Sequence, residues 1–202
     1  MRSRGPKSIG IDFDNTLVDY GPVFRAHASE LGFEGAGLGK TEIRDRLRAR
    51  GEAGEIAWQR LQARVYGKGL GEAAIMDGAA EFLAACRLAG VAVTVVSHKS
   101  RYAAQDPGGI NLRLAARAWL DRHCAGIAVG DAYFEDDRAC KLARIGHLGC
   151  THFIDDLLEV LTEETFPPGV TRLWLTEDGA ICPSGVAAAG SWRHLKRIVF
   201  GA

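Results

Sequence analysis

The chain has 202 residues, 47% of them apolar and 25% charged, which suits one globular domain carrying an insertion and is too apolar for a disordered chain. Lys and Arg together number 25, as do Asp and Glu, so the basic excess typical of nucleic-acid binders is missing and no nucleic-acid partner is expected. No run of about 18 uncharged apolar residues occurs, so no membrane span is expected either.

In chain order, the basic start Met1 to Lys7 mimics a leader, but Asp12 and Asp14 break the apolar run behind it, so no leader is expected. Ser8 to Phe13 reads as a first strand. From Asp19 to Met76 only helical patterns occur: one opened by Pro22 and closed by Gly32, then Thr41 to Arg50 and Glu55 to Tyr66. Glycines at 35, 37 and 39 and at 67, 69 and 71 separate them. A helix over Ala79 to Ala89 leads to Val91 to Ser97, a β-branched run of the kind buried on both faces. Helices follow at Asn111 to His123, Lys141 to Leu148 and Leu157 to Thr165. Further strands lie within Gly126 to Phe134, at Thr151 to Asp155 and at Val170 to Thr176. Gly90 and Gly149 mark helix ends, and Ser191 to Phe200 is a last helix. Alternating strands and helices predict an α/β protein, a three-layer Rossmann-like parallel sheet. Residues 1–18 and 77–202 form its core, and 19–76 form an all-helical insertion after the first core strand.

Reactive groups in such folds gather at the carboxyl ends of the strands. Here the first strand ends in Asp12-Phe13-Asp14-Asn15-Thr16, the second in Ser97, and the Thr151 strand in Asp155-Asp156. Two carboxylates about 4 Å apart repel by about 4 kcal/mol at an effective dielectric near 20, so the cluster needs a cation or a proton. Hard oxygen donors without grouped histidines favour Mg²⁺ over zinc. The five cysteines, odd in number and free of C-x-x-C pairs, read as reduced thiols, which suits a cytoplasmic location.

With those residues in place, the sequence resembles the phosphatase branch of the haloacid dehalogenase (HAD) superfamily with a small helical cap of the C1 type. Asp12 to Leu17 matches D-x-D-x-T-L, Ser97 stands where the family has Ser or Thr, Lys141 precedes the third motif strand, and Asp155-Asp156 matches the closing acidic pair. The resemblance implies a HAD-like fold with Asp12 as nucleophile and Asp14 as general acid and base. It implies Mg²⁺ held by Asp12, Asp155, Asp156 and the main-chain carbonyl of Asp14. Ser97, Lys141 and Thr16 would bind the phosphoryl group. The acid at Asp14 favours phosphate esters, because the superfamily's dehalogenases and phosphonatases lack it. Asp155 departs from the family pattern in following Ile154, where many members have Gly.

The implied activity is Mg²⁺-dependent hydrolysis of a small phosphorylated metabolite, a sugar phosphate or a nucleotide, through an aspartyl-phosphate. The alternatives are a phosphomutase or phosphotransferase and a non-catalytic binding or regulatory protein keeping the fold. Lys99 competes with Lys141 for the phosphate, Lys141 being favoured because it begins a helix directed at the site. His98, Lys99, Arg101, Arg60 and Arg64 are candidate substrate contacts. The run Lys40 to Arg50 reads as a solvated helix face in which Glu42 and Arg46 pair, and Asp131 to Asp137 as an acidic segment in solvent near the sheet edge. A monomer or homodimer is expected.

Overall fold

A computed structural model describes residues 7–30, 38–106, 109–124, 132–177 and 179–201. The chain runs β1 (Ser8–Ile11), β2 (Val18–Asp19), α1 (Gly21–Ser29), α2 (Lys40–Arg48), α3 (Glu52–Tyr66), a 3₁₀ turn (Lys68–Glu72) and β3 (Ala74–Ile75). It continues through α4 (Ala79–Leu88), β4 (Ala92–His98), α5 (Leu112–His123), β5 (Ala132–Glu135), α6 (Arg138–His147) and β6 (His152–Asp155). It closes with α7 (Leu158–Leu161), β7 (Thr171–Leu175), β8 (Val186–Ala189) and α8 (Trp192–Phe200).

Six strands form one parallel sheet in the order β5-β4-β1-β6-β7-β8. Helices cover both faces, giving the three-layer α/β architecture read from the sequence. Successive strands first step from β1 to β4 and β5, then return to the other side of β1 at β6. The order therefore reverses beside β1, where open α/β sheets form a crevice.

The chain groups into two compact units, one of residues 1–18, 75–99 and 120–202, the other of 19–74 and 100–119. In the first, Val96, Leu142, Ile145, Phe153, Val160, Leu161 and Phe166 share one buried cluster under α6 and α7. Phe82 of α4 packs on Trp192 and Phe200 of α8, with ring centroids 5.0 and 6.0 Å apart. Gly10, between the buried Ile9 and Ile11, is the close approach in the sheet. A Cβ there would lie 2.5 Å from the Phe153 ring and 3.0 Å from Cys150 Sγ.

In the second unit, Pro22 occupies the first turn of α1, where its missing N–H costs no helical hydrogen bond. Phe24 stacks on Trp58 at 5.6 Å, and Tyr20 meets Tyr66 edge-on at 4.8 Å. Gly54 lets α3 cross α2, since a Cβ there would sit 1.8 Å from the Leu47 carbonyl oxygen. The indole of Trp119 donates to Ala73 O at 2.9 Å and so ties 100–119 to the rest of the unit.

Several elements differ from the sequence expectations. β8 is an additional strand, an alanine-rich edge whose pairing with β7 overrides low strand propensity. The stretch from Asp19 to Met76 is not wholly helical, because β2 and β3 pair there as two-residue strands. α7 is a single turn rather than a helix to Thr165. α6 starts at Arg138, three residues before Lys141, because Asp137 caps it by accepting from Cys140 N at 2.7 Å. The acidic stretch before α6 accordingly supplies an edge strand, β5, and a helix cap. Residues 125–131, including Asp131 and the start of the strand expected from Gly126, and 31–37, including Gly32, Gly35 and Gly37, lie outside the described residues. All five cysteines are free thiols. No helix among the described residues is long and apolar enough to cross a membrane.

Candidate active site

The site lies at the carboxyl ends of β1, β4 and β6. Asp12 directly follows β1 and is 5% exposed; its N–H donates to Ile154 O at 2.9 Å, extending the β1–β6 ladder by one residue. Asp155 ends β6 and is fully buried. After Asp12 the chain turns sharply, with Leu17 N and Val18 N both donating to Phe13 O at 3.1 Å. Asn15 takes the left-handed conformation at φ 57°, which asparagine tolerates better than most residues. This tight turn sets Thr16 against the second acidic pair. The Thr16 hydroxyl donates to Asp156 Oδ1 at 3.1 Å and accepts from Asp156 N at 3.1 Å.

Charge is arranged in two buried groups. Lys141, 2% exposed, reaches Asp12 Oδ1 at 2.6 Å and Asp155 Oδ2 at 2.7 Å. Lys99, 4% exposed, instead donates to both oxygens of Asp14, at 2.8 and 2.9 Å. Burial works against the Lys141 ammonium, but the carboxylates of Asp12 and Asp155 outweigh it and hold its pKa above the ordinary lysine range. Burial, with Asp12 next to it, pushes Asp155 up to about 7 against the pull of Lys141. The two carboxylates keep the Lys141 ammonium charged, while burial first and the Asp12 charge second disfavour ionisation of Asp155.

Oxygens of Asp12, Asp155 and Asp156 lie within 4.8 Å of one another. With all three carboxylates ionised, the single Lys141 charge would leave an excess of two negative charges. A hard, all-oxygen donor set with that excess fits a divalent cation of the magnesium type.

Through these contacts the structure joins Asp12, Lys141 and Asp155, with Asp156 and Thr16 beside them, and separately pairs Lys99 with Asp14. Ser97 is buried at the end of β4, in register with Phe134 of β5. Thr16, expected to bind phosphate, is fully buried with its hydroxyl committed to Asp156 in both directions. Lys99, expected as a substrate contact, is committed to Asp14. Lys141 sits in the opening turns of α6 rather than at its first residue. His98 is exposed at the end of β4. Arg60, Arg64 and Arg101 belong to the second compact unit and are exposed, Arg64 being paired with Glu30 at 2.6 Å.

Two tryptophans that sequence reading passed over hold the site loops from behind. The Trp192 indole donates to Thr16 O and the Trp174 indole to Asp156 O, each at 3.0 Å. An indole carries one donor that seeks a partner when buried, which is the only signal the sequence offered for them.

No protein-family model matches this sequence, and no curated protein matches it. Solved structures share its fold over nearly the whole chain. A HAD-superfamily hydrolase of subfamily IA from Geobacter sulfurreducens aligns over 98% of this chain and 100% of its own, with 16% identity and a TM-score of 0.62. A HAD hydrolase from Bacillus subtilis, bound to magnesium, aligns over 97% and 99% at 14% identity with a TM-score of 0.61. One from Deinococcus radiodurans, with bound phosphate and sodium, aligns over 97% and 96% at 19% identity with a TM-score of 0.57. Proteins described as dehalogenases and a D,D-heptose 1,7-bisphosphate phosphatase from Burkholderia thailandensis match as well. The chain has the HAD-like fold, as the order of its motifs led one to expect.

Proposed function

We propose that this protein is a magnesium-dependent phosphatase of a small phosphorylated metabolite, a sugar phosphate or a nucleotide. The observation that carries the reading is the buried Asp12–Lys141–Asp155 bridge, with Asp156 in the same carboxylate cluster. In this reading Asp12, Asp155 and Asp156, with the Asp14 carbonyl, hold Mg²⁺. The ion supplies charge neutralisation for the phosphoryl oxygens and for the cluster itself.

Asp12 attacks phosphorus and the ester oxygen leaves, taking a proton from Asp14. Asp14 then takes a proton from the water that opens the aspartyl-phosphate. Lys141, already poised between two carboxylates, and Ser97 bind the phosphoryl oxygens as negative charge builds on them. Thr16 serves by holding Asp156 in place. By the family resemblance the helical unit would be the cap, with Arg60, Arg64 and Arg101 as candidate substrate contacts. Neighbours include dehalogenases as well as a phosphatase. The acid at Asp14 favours the ester chemistry, since an alkoxide leaving group needs a proton and a halide does not.

The test is release of phosphate from p-nitrophenyl phosphate with and without Mg²⁺. Wild-type protein is expected to turn over only with the metal, and Asp12→Asn to lose turnover entirely. Absence of activity on a broad panel of phosphomonoesters at every pH would end the proposal.

A further inference from the structure

Lys99 is a second buried lysine in a cluster whose phosphoryl-binding lysine is already accounted for by Lys141. It stands at the end of β4, two residues beyond Ser97, and its ammonium addresses a different carboxylate. Both of its contacts to Asp14, at 2.8 and 2.9 Å, fall in the range of charge-assisted hydrogen bonds. The rest of the residue is equally constrained. Its main-chain N–H donates to Glu135 O at 3.0 Å, fixing it to β5. Its Nζ lies 5.2 Å from the centre of the Phe13 ring, which is fully buried and set edge-on against Phe134 at 5.7 Å. A free lysine side chain samples many rotamers, and burying one costs about 2 kcal/mol in lost freedom. Here the ring, the neighbouring strand and the carboxylate together select one.

We propose that Lys99 is a positioning residue: it grips the Asp14 carboxyl through both oxygens and aims it, without touching the phosphoryl group. The proposal rests on the phosphatase reading above. Asp14 itself needs such a hold. It follows β1 in a tight turn whose next residue is left-handed, and its side chain is 23% exposed, so one side of it opens to solvent. In the reading above its carboxyl serves the ester oxygen in one half-reaction and the attacking water in the other. A group that must meet two different oxygens from one position gains most from being held still. A displacement of about 1 Å in such a group costs about 100-fold in turnover.

The measurement is steady-state hydrolysis of p-nitrophenyl phosphate with Mg²⁺, together with inhibition by inorganic phosphate, for wild type, Lys99→Met, Lys99→Arg, Asp14→Asn and the Asp14→Asn/Lys99→Met double variant. Lys99→Met is expected to lower kcat by about 100-fold while leaving the inhibition constant for phosphate unchanged. Lys99→Arg, which keeps a charged fork for the carboxylate, is expected to recover part of the loss. In the Asp14→Asn background, Lys99→Met is expected to cost nothing further in turnover, because the carboxylate it positions is gone. A phosphate inhibition constant raised about tenfold, the loss of 1.4 kcal/mol of binding, would make Lys99 a phosphoryl ligand and overturn the proposal. Equal losses in the two backgrounds, or an unchanged kcat, would overturn it as well. Should Lys99→Met fail to fold, Lys99→Arg and Lys99→Gln carry the same comparison, and equal effects in the two backgrounds again overturn it. A wild-type protein that hydrolyses no phosphoester defeats the phosphatase reading instead, and that result is read on wild type alone.

Discussion

Lys99 and Lys141, at the carboxyl ends of the sheet, are 4% and 2% exposed, whereas the arginines that pair in α2 and α3 stand about half in water. Lys141 ends on two carboxylates that are themselves enclosed, and Lys99 on one that is 23% exposed. The arginines pair along one helix, as in Arg46 with Glu42 at 2.7 Å, or with a neighbouring one, as in Arg48 with Glu55 at 2.6 Å. The contacts are alike in length and differ in the medium around them. Removed from water, a charge cannot be replaced by solvent, so each partner depends on the other. In water the same contact is nearly interchangeable with hydration. In the proposed phosphatase reading, the buried set concentrates electrostatic free energy where a phosphoryl group would develop charge. The exposed set keeps a helical face soluble.

The sharpest way to break this contrast is Lys141→Met. Asp12 and Asp155 would then face each other without their shared ammonium in a buried site. Chemical denaturation of the metal-free protein is expected to show a loss of about 3–5 kcal/mol, because breaking a buried pair strands a charge. Turnover of p-nitrophenyl phosphate is expected to fall by about 100- to 1,000-fold, the usual cost of one donor to a developing oxyanion. A variant that unfolds and turns over as wild type does would show that burial gives this pair no special standing.

The helical unit has a different vulnerability, in backbone packing rather than charge. Gly54 faces the Leu47 carbonyl so closely that any side chain must push α2 away from α3. Gly54→Ala is expected to destabilise by about 3 kcal/mol, at the upper end for overpacking, since the obstacle is backbone and not a pliant side chain. Hydrogen exchange locates the effect: amides of α2 and α3 are expected to lose protection while β1, β4 and β6 keep theirs. A uniform loss across both units would mean that they unfold as one.

What could be read from the sequence divides along the same line. β4 was legible as the β-branched run of a strand buried on both faces, β1 and β6 as short apolar runs that close on acids, and such strands end where chemistry gathers. Asp12, Asp14, Asp155 and Asp156 follow from those endings, and Lys141 from its place in the motif order. The partner of Lys99 was not legible. Asp14 lies 85 positions away, and only the neighbouring placement of β1 and β4 brings the two together. The start of α6 was missed because Asp137, read as part of a solvated acidic run, caps the helix instead. β8 was missed because alanine has little strand propensity of its own, and only β7 beside it makes a strand there. Gly10 gives no local hint that its missing side chain makes room for Phe153. Local pattern records what a residue needs from its neighbours in sequence; the Lys99 partner, β8 and Gly10 depend on neighbours in space, whereas the Asp137 cap is a local signal that the charge run hid.

The smallest expected effect is also the most direct control on the contrast. Arg48 and Glu55 join α2 to α3 with contacts at 2.6 and 3.3 Å, the shorter as close as the tightest of the buried pairs. The hydrogen bond to Glu55 raises the Arg48 pKa, and the one from Arg48 lowers that of Glu55, so both remain charged at neutral pH. Geometry alone would rank this bridge beside Lys141. Exposure ranks it far below, because solvent screens the attraction and rehydrates each partner once the other is removed. Arg48→Ala, Glu55→Ala and the double variant should therefore melt within about a degree or two of wild type, with little coupling between the two substitutions. Raising the salt from low to molar concentration should erase what coupling remains. A coupling comparable to the loss in Lys141→Met would mean that contact geometry, and not enclosure, sets the strength of ion pairs in this protein.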